Sequence, residues 1–187
     1  HRDAPLTEIL SEAKILGCNE VCFGDAFCSE EEIKYATTFD SGIIQIPVII
    51  KKECDENVVK NLLKVQYNRI DETEYFVRSS VRSTNIKPFN TVNRYVKDVT
   101  IDNELFKRYQ GEICIMKKNI EADERVNVVG KCNCNEFLIN NIKAGQKFKL
   151  VIDQVIAEEA IIGIDAGGTK TKVALIDANK EIVYSAI

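Results

Sequence analysis

The sequence predicts an α/β segment, then a mostly-β domain, then a separate terminal β-hairpin. Three observations carry this. Helical and strand-like periods alternate up to residue 64, with short links between them. From about residue 74 the chain gives only short strand-like runs between polar turns, with one helix among them. Past Glu158-Glu159, a glycine turn stands between two apolar strands.

The first segment reads element by element. Leu6, Ile9, Leu10, Ala13 and Leu16 fall on one face of a helix, which Gly17 ends. Residues 20–23 read as a short buried strand that closes at Gly24-Asp25. Ser29 and Glu32 form a capping box, so a helix follows to about Phe39. Residues 42–50 are the next strand. Asp55 caps a third helix that carries Val58, Val59, Leu62 and Leu63. Two strands cannot make a stable parallel sheet alone, so this segment is expected to need strands from upstream. His1 in place of Met, and an end at Ile187 just past a strand-like run, point the same way: the chain is expected to continue on both sides.

In the middle segment the strand-like runs are 75–81, 99–101, 112–116, 126–130 and 147–152, with a short helix at about 135–142. Asn68-Arg69-Ile70-Asp71 reads as the hinge before them. The last segment gives strands at 160–164, 172–176 and 181–184. Residues 1–64 are expected not to fold alone, and 74–156 are expected to do so.

Composition excludes several classes. With 45% hydrophobic and 29% charged residues, the chain is globular, not disordered. A net charge of −4 argues against a nucleic-acid binder, which carries a basic surplus. No apolar run nears the roughly 18 residues that cross a bilayer; the longest, 42–50, is broken by Gln45 and Pro47. Seven cysteines at irregular spacing, most in apolar surroundings, read as buried free thiols of a reducing, cytoplasmic protein. The lone His1 and the isolated Cys132-Asn133-Cys134 do not make a zinc site.

The sharpest motif is Asp165-Ala166-Gly167-Gly168-Thr169-Lys170-Thr171 between two apolar strands. Gly167 and Gly168 have no Cβ, so backbone N–H groups can approach phosphate oxygens. Thr169 and Thr171 add hydroxyl donors and Lys170 a cation. Asp165, at a strand end, is placed to hold Mg²⁺ through water. This stretch resembles the first phosphate loop of the actin-like sugar kinases and ATPases, which include N-acetylglucosamine kinases and dehydratase-activating ATPases. The resemblance covers residues 161–187 and implies ATP and Mg²⁺ as cofactors. The rest of such a kinase is not encoded here, so this chain alone is expected to be inactive as one.

A second resemblance covers residues 1 to about 156. It rests on His1-Arg2-Asp3-Ala4-Pro5, on residues 17–25 followed by Ser29-Glu30-Glu31-Glu32, and on Asn68-Arg69-Ile70-Asp71. It continues through Val77-Arg78-Ser79-Ser80, residues 98–104, Arg108-Tyr109-Gln110-Gly111-Glu112 and residues 125–130. In that order they are similar to the C-terminal half of the bacterial 6-phospho-N-acetylmuramidase family. The resemblance implies the end of a TIM barrel over 1–64 and a small cyclophilin-like β-barrel over 74–156. It also implies a glycoside hydrolase of cell-wall recycling, acting on a phosphorylated amino sugar or disaccharide. Asp25, at a strand end, is the catalytic candidate within this chain; at least one other carboxylate of the pair is expected upstream. The substrate carries a phosphate and a lactyl carboxylate, which arginine forks read best. Arg69, Arg78, Arg82, Arg94 and Arg108 are the candidates, with Ser79, Asp102 and Asn103 as polar partners. Two other readings stay open: a ligand-binding β module attached to a dehydratase-activating-type ATPase, and a join of two neighbouring reading frames.

Overall fold

The structure is a computed structural model. It describes residues 4–24, 27–40 and 42–152 in full, and residues 161–167, 170–176 and 182–186 in backbone. The chain divides into two compact units, His1–Ile152 and Asp153–Ile187.

In the first unit, helix α1 spans Leu6–Ile15, and Gly17 follows it at φ +80°, the left-handed turn that ends a helix. Helix α2 spans Glu30–Thr38, and its capping box is formed by Ser29 and Glu32 as the spacing predicts. Between the two helices, the strand expected at 20–23 is not formed, and Val21 and Phe23 are exposed. A buried strand needs a hydrogen-bonded neighbour on the sheet, and no strand of the sheet pairs with this stretch.

Seven strands form one sheet. They are β1 (Ile43–Ile50), β2 (Gln66–Tyr67), β3 (Phe76–Arg78), β4 (Asp98–Asp102), β5 (Ile113–Met116), β6 (Val126–Cys132) and β7 (Lys147–Ile152), in the order β2-β7-β1-β6-β4-β5-β3. Only β1 and β7 run parallel, from Ile43 opposite Lys147 to Val48 opposite Ile152. The sheet curls until its edges meet. Asn68 bridges Ser79, the Arg69 N–H donates to the Arg78 carbonyl at 2.8 Å, and the Ser80 N–H donates to the Tyr67 carbonyl at 3.0 Å. The result is a small, nearly closed β-barrel.

This corrects the expected break near Tyr67. Residues 43–50, assigned to the end of a separate α/β domain, are an inner strand of the same barrel as 76–152. The supposed hinge, 68–71, is the seam that closes it. Locally, an apolar strand looks alike in either setting, and the partner that decides, β7, lies far downstream.

Two helices plug the barrel. Helix α3 (Glu56–Leu62), capped by Asp55, buries Val58 and Leu62, while α4 (Glu136–Asn140), capped by Asn135, buries Leu138 and Ile139. With Ile44, Ile46, Val48, Val77, Val99, Ile101, Ile113, Ile115, Phe148 and Leu150 they form one core. Alternation along the strands explains the selection: Val77, Val99, Ile101, Ile113 and Ile115 point inward, so their neighbours point outward.

The second unit is a three-stranded antiparallel sheet of β8 (Ile161–Gly167), β9 (Lys170–Ile176) and β10 (Ile182–Ala186), with β9 in the middle. The strands extend further into the motif than expected: Asp165 pairs with Lys172, Ala166 with Thr171, and Gly167 with Lys170.

Candidate functional site

The outward residues of β3, β4 and β5 build the site. Phe76 and Arg78 come from β3, Thr100 and Asp102 from β4, Cys114 and Met116 from β5, and Glu112 just precedes β5. Each is the neighbour of an inward core residue, so a single alternation makes both the core and the site floor. A 3-10 turn, Glu104–Tyr109, supplies Phe106 and Tyr109 to the wall, and Arg94, Ile120, Asp123 and Val126 complete it. The cavity measures about 380 Å³, within the usual range for small-ligand sites.

Glu112 organises the cations. Its side chain is 2% exposed and meets three arginines: Arg78 Nε, Arg82 Nη2 at 3.2 Å and Arg69 Nη1 at 3.3 Å. Arg69 and Arg78 also bind Asp71. A buried carboxylate without partners is costly, and three charge-assisted bonds offset that cost. The guanidiniums of Arg78, Arg82 and Arg108 lie 5.1, 5.2 and 5.7 Å from the centre of the Tyr109 ring, each within cation–π range. Arg94 is held by the Glu121 carbonyl, to which its Nε and Nη2 donate at 3.1 and 2.6 Å.

Asp102 is the unusual acid. It is buried, and among the described residues none donates a hydrogen bond to its carboxyl group. Burial first, and then the nearby Glu112 charge, push its pKa up to about 7, against the opposing pull of Arg78 and Arg94. Across the cavity, Asp123 is held down to about 2, mainly by the Arg125 side chain. The site therefore places a carboxyl that is about half protonated at neutrality beside the ionised Asp123 and several guanidiniums. Such a group can donate a hydrogen bond to an anionic oxygen, which an ionised carboxylate cannot.

The other candidates separate by role. Ser79 is buried and serves the seam: its hydroxyl donates to Gln66 Oε1 and accepts from the Val81 N–H at 3.0 Å. Asn103 is fully buried and structural. It caps the 3-10 turn at Leu105 and donates to the Glu124 carbonyl and Asn127 Oδ1. Of the two, Asp102 lines the cavity and Asn103 does not. Asp25, Gly168 and Thr169 lie outside the described residues. Gly167, Lys170, Thr171 and Asp165 are placed by the strand register alone. Glu112, Tyr109, Phe76 and Phe106 escaped the sequence reading. Glu112 and Tyr109 could have been found, because both stand in a stretch that carries the second resemblance and Glu112 opens a strand whose inward residues are obvious.

All seven cysteines are free thiols. Cys114, Cys132 and Cys134 are buried as expected, but Cys18 and Cys22 are exposed. Among the described residues, no cluster of His, Cys, Asp and Glu could hold a metal ion, and no helix is long and apolar enough to cross a membrane.

Residues 44–151, more than half of the chain, match the family described as 6-phospho-N-acetylmuramidase, C-terminal. The chain belongs to that family. The matched segment starts within β1 and ends within β7, so it is the barrel found in the structure. No curated protein matches this chain. Two solved structures do. An uncharacterised B. cereus protein is 29% identical with a TM-score of 0.72, covering 81% of this chain and 46% of that one. A conserved Enterococcus faecalis protein of unknown function is 28% identical with a TM-score of 0.59, covering 78% of this chain and 41% of that one. The chain thus spans less than half the length of either of these two proteins.

Proposed function

We propose that this chain is the substrate-reading part of a glycoside hydrolase that acts on 6-phospho-N-acetylmuramic acid glycosides in the cytoplasm. The observation that carries this is the family match over 44–151, with the cavity falling inside it. The lining fits a carboxylated amino sugar. Phe76, Phe106 and Tyr109 offer faces to a sugar ring, Arg78 and Arg94 offer guanidiniums to an anion, and protonated Asp102 offers a donor between them. In this reading the barrel binds. Bond cleavage belongs to a carboxylate pair on the TIM-barrel part, to which Asp25 is assigned.

A second part of the proposal concerns residues 161–187. The hairpin register, with Gly167 at the end of β8 opposite Lys170, supports a phosphate loop. Gly167, Gly168, Thr169, Lys170 and Thr171 would hold the phosphates of ATP, and Asp165 would hold Mg²⁺. A fused sugar kinase would then phosphorylate the N-acetylglucosamine that the hydrolase releases.

The test uses the whole protein that contains this chain. It is expected to hydrolyse the 6-phosphorylated muramic acid–glucosamine disaccharide and to leave the unphosphorylated one intact. With ATP and Mg²⁺ it is expected to phosphorylate N-acetylglucosamine. Failure to cleave the phosphorylated disaccharide sinks the first part, and failure of the kinase assay alone sinks the second.

A further inference from the structure

A second recess is linked to the cavity through Tyr109, which lines the cavity and whose ring lies under Arg82 and Arg108 of the recess. It is lined by Arg82, Ser83, Thr84, Lys107, Arg108 and Gln110, and measures about 250 Å³. Three cations line it and no carboxylate does. The surrounding charge is unbalanced in the same direction. Arg69, Arg78 and Arg82 pair with Asp71 and Glu112, and Lys107 and Arg108 add two further cations. This cationic surplus sits in a chain whose net charge is −4, so it is a local arrangement and not a reflection of composition.

The recess is built, not a chance gathering of surface side chains. Arg82 Nη1 donates to the Arg108 carbonyl at 2.8 Å, which ties the two loops together. Gly111, at φ +78°, lies so close to Ser83 that a Cβ there would meet the Ser83 backbone and hydroxyl. Lys107 is held at φ 47°, ψ −95°, a conformation that costs a non-glycine residue about 1–3 kcal/mol. Strain of that kind persists only where surrounding contacts impose it. The Ser83 hydroxyl is buried and has no hydrogen-bond partner among the described residues. Turning it toward a ligand would break no existing bond, and an acceptor there would remove the cost of leaving it unpaired.

We propose that this recess is a binding site for a phosphate monoester, with Arg82, Lys107 and Arg108 as its cations and Ser83 and Thr84 as hydroxyl donors. Its chemistry differs from that of the cavity, which is lined by three acids, Asp102, Glu112 and Asp123. The recess takes the phosphate and the cavity takes the rest of the sugar. Naming that phosphate as the 6-phosphate of the substrate rests on the function proposed above; the site itself does not.

The experiment titrates the 187-residue chain with glucose 6-phosphate, glucose, inorganic phosphate and lactate at low salt, following backbone amide shifts. Glucose 6-phosphate and inorganic phosphate are expected to shift residues 82–84 and 107–110, while glucose and lactate leave them unmoved. Arg108→Gln is expected to weaken glucose 6-phosphate binding about tenfold, the loss of one charge-assisted contact. Arg108 makes no ion pair among the described residues, so its fold is expected to survive. Ser83→Ala serves as the second variant: it is expected to leave stability unchanged or raised while weakening phosphate binding. The proposal is overturned if the amides do not respond to either phosphate, if lactate binds there equally well, or if both variants bind as the parent does. Phosphate binding in a protein that hydrolyses no phosphorylated disaccharide would overturn the hydrolase reading and leave this site standing.

Discussion

Asp102 and Glu112 are neighbours with opposite fates. Glu112 is surrounded by three guanidiniums, whereas Asp102 has a buried carboxyl that no described donor reaches. Asp102 therefore holds its proton up to about 7 in the folded barrel, while in the unfolded chain it titrates near the ordinary value of about 3.9. Between those two values the folded state binds the extra proton. The contribution of Asp102 to stability is thus greatest below about pH 4, declines as pH rises to about 7, and is flat above it. Asp102→Asn removes the titration, so the variant should gain on the parent as pH rises from 4 to 8, by an amount on the order of 2 kcal/mol. Urea midpoints at several pH values read this directly, and a difference that stays constant with pH would refute it. Glu112→Gln gives the companion result. Removing the Glu112 charge should lower the Asp102 pKa, seen by carboxyl NMR titration, even as the loss of its three partners destabilises the barrel by about 2 kcal/mol or more.

Elements were legible where the signal is local. The capping box at Ser29 and Glu32, the cap at Asp55, and the helix-ending Gly17 each act over three or four residues, and all are found in the structure. The strand at 20–23 was misread because apolar residues alone do not make a strand without an edge to join. The site was half legible for the same reason: Arg78 and Asp102 stand out by type, but Glu112 gains its role from arginines on other segments. Helix α1 shows how elements are joined at long range. Its Glu8 and Glu12 are buried, and both accept from Asn135, the cap of α4: Glu8 Oε1 from the backbone N–H at 2.8 Å, and Glu12 from the side-chain amide. Asn135→Ala removes a helix cap and the amide donor to Glu12 in one step. It is expected to cost about 2 kcal/mol and to release α1 before the barrel melts. Faster hydrogen exchange confined to 6–16 would show this, and uniform exchange across the barrel would contradict it.

At the scale of the whole molecule, the order β2-β7-β1-β6-β4-β5-β3 sets what can fold alone. Strand β7 pairs only with β1 on one side and β2 on the other. A fragment that starts at residue 74 keeps β7 but loses both of its partners, along with Ile44, Ile46, Val48, Val58 and Leu62 from the core. It also loses Asn68 and with it the seam. The sequence invited that cut, because the change from α/β rhythm to short strands falls near Tyr67, and rhythm is a local property while strand pairing is not. The fragment 43–152 retains every strand of the barrel and both plugging helices, so it should unfold cooperatively in urea with an amide spectrum like that of the same residues in the full chain. The fragment 74–152 should show neither a cooperative transition nor dispersed amides. A folded 74–152 would mean that β1 and β2 only decorate a smaller sheet, and the cavity would then owe nothing to the seam that now carries Arg69 and Arg78.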